Sequence, residues 1–195
     1  MKQGKILIVS GPSGVGKGTV LRELMKRHDN MHFSVSATTR SIRPGEVDGV
    51  HYRFLTKEEF EDMIARDALL EYASYADNYY GTPVEPVEKA VANGEIVILE
   101  IEVQGALKVM ERRKDAVSIF IAPPAYEVLR ERLLNRGDTP LEIAEKRLKI
   151  AFEECRQAQH YKYTVFNNTV EEAVKEIEAI LVAESCRSEF NHIHL

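Results

Sequence analysis

The segment that most constrains this chain is Gly11-Pro12-Ser13-Gly14-Val15-Gly16-Lys17. It satisfies the spacing G-x-x-x-x-G-K. Before it stands the short apolar run Ile6-Leu7-Ile8-Val9, and after it Val20, Leu21, Leu24 and Met25 recur at helical spacing. A continuous apolar run of that length reads as a strand buried on both faces, the habit of parallel sheets. Between strand and helix, glycines let the backbone curl until successive N–H groups converge on one anion. The helix N-terminus adds the positive end of its dipole. Lys17 adds a mobile cation of the kind that reaches β- and γ-phosphates. Residues Gly11, Pro12, Ser13, Gly14, Val15, Gly16, Lys17, Gly18 and Thr19 therefore form a candidate triphosphate site. The position after the lysine, normally Ser or Thr on a magnesium ion, is Gly18, which has no side-chain ligand to give. Mg²⁺ must then rely on phosphate oxygens and water, while the Thr19 hydroxyl is left for a phosphate oxygen.

The rest of the chain alternates between two periods. Strands are predicted at 33–36, 51–55, 69–75, 95–101, 117–121 and 163–166. Helices are predicted at 17–28, 84–93, 104–112, 126–135 and 141–159, and two more start at the capping boxes headed by Thr56 and Thr169. Strands alternating with helices imply an α/β fold, a three-layer core around a parallel sheet. At ~150 residues per domain, the 195 residues make one domain. Its core is 1–33, 83–125 and 160–190. Residues 34–82 break the rhythm with short strands and a Pro/Gly loop and read as a small mixed insertion; residues 126–159 form a two-helix insertion.

Charge narrows the function. The whole chain carries a formal net charge of −5, which disfavours a nucleic-acid coat, yet residues 1–56 hold nine basic against four acidic side chains. An acidic protein with a basic first quarter places its cations around a specific small anion. No apolar run approaches the ~20 residues of a membrane span, so no membrane partner is expected. The two cysteines, Cys155 and Cys186, form no Cys-x-x-Cys pair, which fits a reducing, cytoplasmic setting. Oligomeric state is left open by the pattern, and a homo-oligomer is compatible with it.

A second anion site is suggested by the loop Thr38-Thr39-Arg40-Ser41-Ile42-Arg43-Pro44-Gly45-Glu46. Two arginines three apart can clamp a phosphate from two directions. Tyr52, Tyr79 and Tyr80 follow, and phenols orient a phosphate without adding charge. Here the strings Phe33 to Arg40, Arg43-Pro44-Gly45-Glu46 and Gly49-x-x-Tyr52 resemble guanylate kinases. So do Leu70-Glu71, Asn78-Tyr79-Tyr80-Gly81-Thr82, Leu99 to Gly105 and Phe120 to Pro124. The resemblance runs in order from about residue 6 to about residue 181. The run Gly-Lys-Gly-Thr at 16–19 is likewise similar to nucleoside monophosphate kinases.

The resemblance implies ATP-dependent phosphorylation of GMP or dGMP with Mg²⁺, a phosphate-loop core, a GMP-binding insertion and a lid. It assigns Ser36, Glu71 and Thr82 to the guanine base, and Arg40, Arg43, Tyr52 and Tyr80 to the GMP phosphate. The chemistry agrees. Guanine presents N1–H and an N2 amine side by side, and one carboxylate accepts both, whereas adenine offers an acceptor at N1. Sites built on such pairings reject analogues lacking them by ~10⁴ or more. Glu100 and Glu102 follow the run at 96–99, at the carboxyl end of a strand, where acidic residues hold magnesium water or a nucleotide group. Both are grouped with the GMP site, and two-residue spacing on a strand puts them on one face. Relatives carry Asp where Glu102 stands.

In the two-helix insertion, Arg132 and Arg136 share a helix face, and Arg147 lies on the next helix. The resemblance assigns Arg136 and Arg147 to the transferring phosphates, Arg132 close to them, and Asn167 to the adenine side. Lys17, Arg40, Arg136 and Arg147 are the catalytic set. No general base is required, because a phosphate oxyanion accepts the phosphoryl group; the enzyme must instead offset the repulsion of two anions. Two rival readings remain. One is a guanylate-kinase-like phosphoprotein-binding module, against which Lys17 and the lid arginines argue. The other is a kinase for another small phosphate, against which Ser36, Glu71 and Thr82 argue.

Overall fold

The computed structural model describes residues 4–134 and 141–188. Elements follow in the order β1 (Lys5–Ser10), α1 (Lys17–Lys26), β2 (Met31–Phe33), β3 (Ala37–Thr38), β4 (Arg53–Phe54) and α2 (Lys57–Ala65). Then come β5 (Leu69–Tyr75), β6 (Asn78–Pro83), α3 (Val84–Ala92), β7 (Ile96–Glu100) and α4 (Val103–Arg112). The last are β8 (Val117–Ala122), α5 (Tyr126–Leu134), α6 (Leu141–Arg156), a 3₁₀ turn (Gln157–His160), β9 (Tyr163–Phe166) and α7 (Val170–Ser185). The chain divides into two compact units, 1–6 with 31–116, and 7–30 with 117–195.

In the first unit β2 and β7 run parallel, Met31 opposite Ile96 and Phe33 opposite Ile98. The rest is a mixed four-stranded sheet in the order β4-β3-β6-β5. Strand β3 pairs parallel with β4 and antiparallel with β6, and β5 and β6 form a hairpin. Helix α2 covers this sheet. Its start is the capping box read in the sequence: Thr56 accepts from the Glu59 N–H and Glu59 accepts from the Thr56 N–H. Its single fully buried side chain, Phe60, packs with Ala37 and Leu69 and stacks on Tyr79 at 5.2 Å between ring centroids. Burying such a ring contributes about 1.5–3 kcal/mol.

In the second unit β1, β8 and β9 run parallel, with Leu7 opposite Val117 and Ile119 opposite Tyr163. All six residues of β8 are buried, as its largely apolar pattern demands, and the one polar side chain, Ser118, accepts from the Lys162 N–H at 3.0 Å. Helices α5 and α6 close over Leu129, Leu133, Leu148 and Ala151. Helix α1 is tied at its far end to α7, where Arg27 pairs with Glu171 and His28 with Glu178.

Several boundaries differ from the sequence reading. The strand expected at 33–36 ends at Phe33, and residues 37–38 pair in the other sheet. The edge strand expected at 51–55 shrinks to Arg53–Phe54. The strand expected at 95–101 ends at Glu100; Glu102, φ −67° and ψ 157°, is the N-cap of α4. Glu100 and Glu102 therefore do not share a strand face. The helix expected to run to 159 stops at Arg156 and tightens into the 3₁₀ turn. Strands β3 and β6 have no counterpart in the sequence pattern.

Candidate nucleotide-binding sites

In the second unit, β1 delivers the chain to residues 11–16 and α1 takes it away. Gly16 is the N-cap of α1 at φ 97°, a left-handed conformation that disfavours side chains. A Cβ there would lie 2.7 Å from the Asn167 side-chain nitrogen, so only glycine fits without displacement. The Lys17 ammonium donates to the Gly11 carbonyl at 2.6 Å, which folds it back over the loop. Val15 is fully buried, and its carbonyl takes two donors from far along the chain. Asn167 Nδ2 donates at 2.7 Å and Arg132 Nη1 at 3.1 Å; Arg132 Nη2 also reaches the Asn167 carbonyl at 3.2 Å. Arg132 and Asn167 are thus brought to the loop as its braces. Ser13 and Thr19 are exposed and Pro12 is buried. Arg147 is exposed on α6; Arg136 lies outside the described residues.

In the first unit, β5 and β6 hold two residues expected at the base opposite each other, Glu71 beside Thr82. Both are buried, Thr82 completely, and the Thr82 hydroxyl donates to Glu71 Oε1 at 2.8 Å. Burial pushes the Glu71 carboxyl above its ordinary range; the Thr82 hydroxyl and nearby Lys108 work in the opposite direction, and Glu102 adds to the rise. Gly105, in the first turn of α4, makes room for this carboxylate: a Cβ would come within 2.9 Å of Glu71 Oε2. Ser36 is half-buried between β2 and β3, and its carbonyl accepts from the Arg53 N–H at 2.8 Å. Glu100 and Glu102 are exposed.

Residues expected at the GMP phosphate, Arg40, Tyr52 and Tyr80, gather around β3, β4 and β6. Thr38 and Thr39 lock this seam through the Tyr79 backbone at 2.9 Å each. The Arg40 guanidinium lies 5.4 Å from the Tyr52 ring centroid and 5.6 Å from that of Phe54. Tyr52 meets Tyr80 edge-on at 6.1 Å. Arg40 also makes a forked pair with Glu46 at 2.8 and 3.0 Å. That pair, with the Arg43 N–H, holds the Glu46 carboxyl down at about 2. The Arg43 side chain is exposed.

The structure thus gathers Arg40, Tyr52 and Tyr80 in one cluster and Glu71 and Thr82 in another. The sequence reading places Glu46 and Gly105 within motifs but gives neither a role, and it misses Lys108. The Pro44-Gly45 turn signal before Glu46 is a usable clue. Nothing local marks Gly105, on helix α4, as the neighbour of a residue on strand β5.

A strand, a glycine-rich anion loop and a helix in this succession define the phosphate-loop class of proteins. Comparison with known proteins narrows the class. The family model described as guanylate kinase matches residues 3–184. A guanylate kinase of Clostridium perfringens strain SM101 is 53% identical over 95% of this chain and 86% of its own length. One from Halalkalibacterium halodurans is 50% identical over 96% and 92%. The crystal structure of guanylate kinase from Anaplasma phagocytophilum superposes with a TM-score of 0.72 at 35% identity, covering 96% of this chain and 89% of that one. The chain belongs to the guanylate kinase family.

Proposed function

We propose that this protein transfers the γ-phosphoryl group of ATP to GMP or dGMP. The observation that carries this reading is the buried Glu71 carboxylate, held by Thr82 on one oxygen. Such a group accepts guanine N1–H and N2–H together and repels the N1 lone pair of adenine. Ser36 can donate to the acceptors O6 and N7, while the Thr82 hydroxyl gives its single O–H to Glu71 and holds that carboxylate for the base. Arg40, Arg43, Tyr52 and Tyr80 take the GMP phosphate, and the loop Gly11–Thr19, braced by Arg132 and Asn167, takes the phosphates of ATP. Glu100 and Glu102 serve the GMP side. Family membership supports the same assignment.

The chain's own cations do the chemical work. Lys17, Arg40, Arg136 and Arg147 offset the negative charge that grows as two anions meet in line, and no residue needs to remove a proton. Residues 34–82 act as the GMP-binding segment and 126–159 as the lid that excludes water during transfer. Magnesium arrives as part of the ATP complex, where it screens the phosphate oxygens. Among the described residues no cluster of three His, Cys, Asp or Glu is placed to hold a metal, and Gly18 offers no side-chain oxygen. Among the described residues no helix is long and apolar enough to cross a membrane. Unpaired Cys155 and Cys186 support a cytoplasmic setting.

The test is coupled ADP formation with ATP and Mg²⁺, offering GMP, AMP, UMP and CMP in turn, with Glu71→Ala beside the parent protein. Turnover on GMP alone, lost in the variant, supports the reading. GMP binding without any turnover would replace it with a phosphoprotein-binding module.

A further inference from the structure

Glu46 stands out as an acidic side chain in a loop that must attract a phosphate dianion. Residues 43–46 form a tight turn in which the Glu46 N–H donates to the Arg43 carbonyl at 3.0 Å. Pro44 and Gly45, at φ 86°, occupy its middle positions, as a type II turn requires. The turn swings the Glu46 carboxylate back across the loop. There Oε2 accepts from the Arg43 N–H at 2.8 Å and from Arg40 Nη1 at 3.0 Å, and Oε1 accepts from Arg40 Nη2 at 2.8 Å. Arg40 Nη1 also donates to the Ser41 carbonyl at 2.7 Å. A guanidinium has five N–H donors in a fixed plane. Glu46 and Ser41 engage three of them, and these lie on the end of the plane that carries Nη1. The other two, on Nε and the outer side of Nη2, form the second forked edge, which matches two oxygens of a phosphate. The Tyr52 and Phe54 rings pack against the same guanidinium, and Tyr80 meets Tyr52 edge-on beside it.

We propose that Glu46 is a positioning residue for the GMP phosphate: it fixes the Arg40 plane so that the Nε–Nη2 edge is presented ready-oriented. Through the Arg43 N–H it sets the backbone of the second arginine at the same time. The cost is a carboxylate near an anion. The return is that Arg40, a side chain with much rotamer freedom, is already ordered when GMP arrives. The carboxylate stays ionised throughout the physiological range, so the brace does not titrate away. This inference rests on the reading of Arg40 as a phosphate ligand.

The experiment is steady-state kinetics on Glu46→Gln, Arg40→Lys and the double variant, with guanosine as a competitive inhibitor that lacks the phosphate. Glu46→Gln should raise the KM for GMP about tenfold, the loss of one charge-assisted contact's worth of ordering. Its guanosine inhibition constant should stay within about twofold, because the base does not touch Glu46, and any fall in kcat should be smaller than that of Arg40→Lys, because Glu46 acts only through Arg40. In the Arg40→Lys background the same change should cost less than about twofold, because the two residues act as a unit. A guanosine constant that rises together with KM means the loop has simply collapsed and overturns the proposal. So does a Glu46→Gln penalty that survives undiminished in the Arg40→Lys background. If Arg40→Lys alone leaves KM unchanged, the phosphate assignment of Arg40 itself fails. If Arg40→Lys raises KM and Glu46→Gln does not, only the role of Glu46 fails.

Discussion

The two candidate anion sites of this chain are built from different materials. The loop at 11–17 is a backbone device: glycine conformations aim peptide N–H groups, and one lysine is added. The site around β3, β5 and β6 is a side-chain device, assembled from Arg40, Tyr52, Glu71, Tyr80 and Thr82 on separated segments. Its polar groups are paired internally: the Arg40 cation with Glu46, and the buried Glu71 carboxyl with the donating Thr82 hydroxyl. A backbone cradle recognises any polyphosphate of the right size. A side-chain network recognises one base, because each polar atom buried there is costly unless the correct ligand pairs it.

The contrast predicts where each site breaks. Lys17→Ala should lower turnover by about 10²–10³, the cost of removing one preorganised charge donor, with little change in the KM for GMP. Steady-state kinetics with each substrate varied separately checks both halves. Glu71→Ala should do the converse, raising the KM for GMP by about 10²-fold or more while ATP affinity measured by calorimetry stays put. Gly105→Ala keeps every polar group but crowds Glu71 Oε2; a KM increase for GMP of about tenfold and a destabilisation of about 1–3 kcal/mol are expected, read by kinetics and thermal melting. Asn167→Ala removes one of two donors on the Val15 carbonyl and should raise the KM for ATP by roughly threefold to tenfold, since Arg132 still braces the loop.

The smallest effect concerns pH, and the two carboxyls of the first unit move in opposite directions. Glu71 titrates above its ordinary value, so its protonation removes the guanine acceptor as pH falls, before an unperturbed carboxylate would titrate. A profile of kcat/KM for GMP should fall on the acid side with a midpoint above 4.5, the ordinary glutamate value. For stability, this raised carboxyl favours the folded state below the unfolded value and loses that contribution as pH rises through the folded one. Glu46 behaves oppositely, contributing above about 4.5 and losing it only as pH falls toward 2. Acid melts of Glu71→Gln and Glu46→Gln should therefore shift in opposite senses.

What is legible in the sequence follows the same division. The loop at 11–17 is legible because its chemistry is written in consecutive residues. Helix α2 is legible for the same reason, through Thr56 and Glu59, and so is β9. Strand β6 is not, because Asn78, Gly81 and Pro83 are poor strand formers that pairing with β5 overrides. Glu102 falls on the wrong element because an N-cap has the extended φ and ψ of a strand, so local pattern alone cannot separate them. The grip of Arg132 and Asn167 on Val15 spans more than a hundred residues of chain, and no spacing rule reports it. The family pattern brings Glu71 into view, but its burial and the reason for Gly105 belong to packing.

The fit between Glu71 and Gly105 also bears on how such a protein drifts in evolution. A mutation that truncates Glu71 to admit a different base leaves the Thr82 hydroxyl without its acceptor and opens a gap over Gly105. A mutation that fills the gap first collides with the carboxylate still present. Neither order passes through a well-packed intermediate, so a new base preference reached by truncating Glu71 needs at least two changes at once, and three if Thr82 is to be satisfied. With Glu71 as the guanine acceptor, the base choice would be protected by mutual fit, and a laboratory selection for another base would advance faster from a library that varies positions 71, 82 and 105 together than from truncations taken singly.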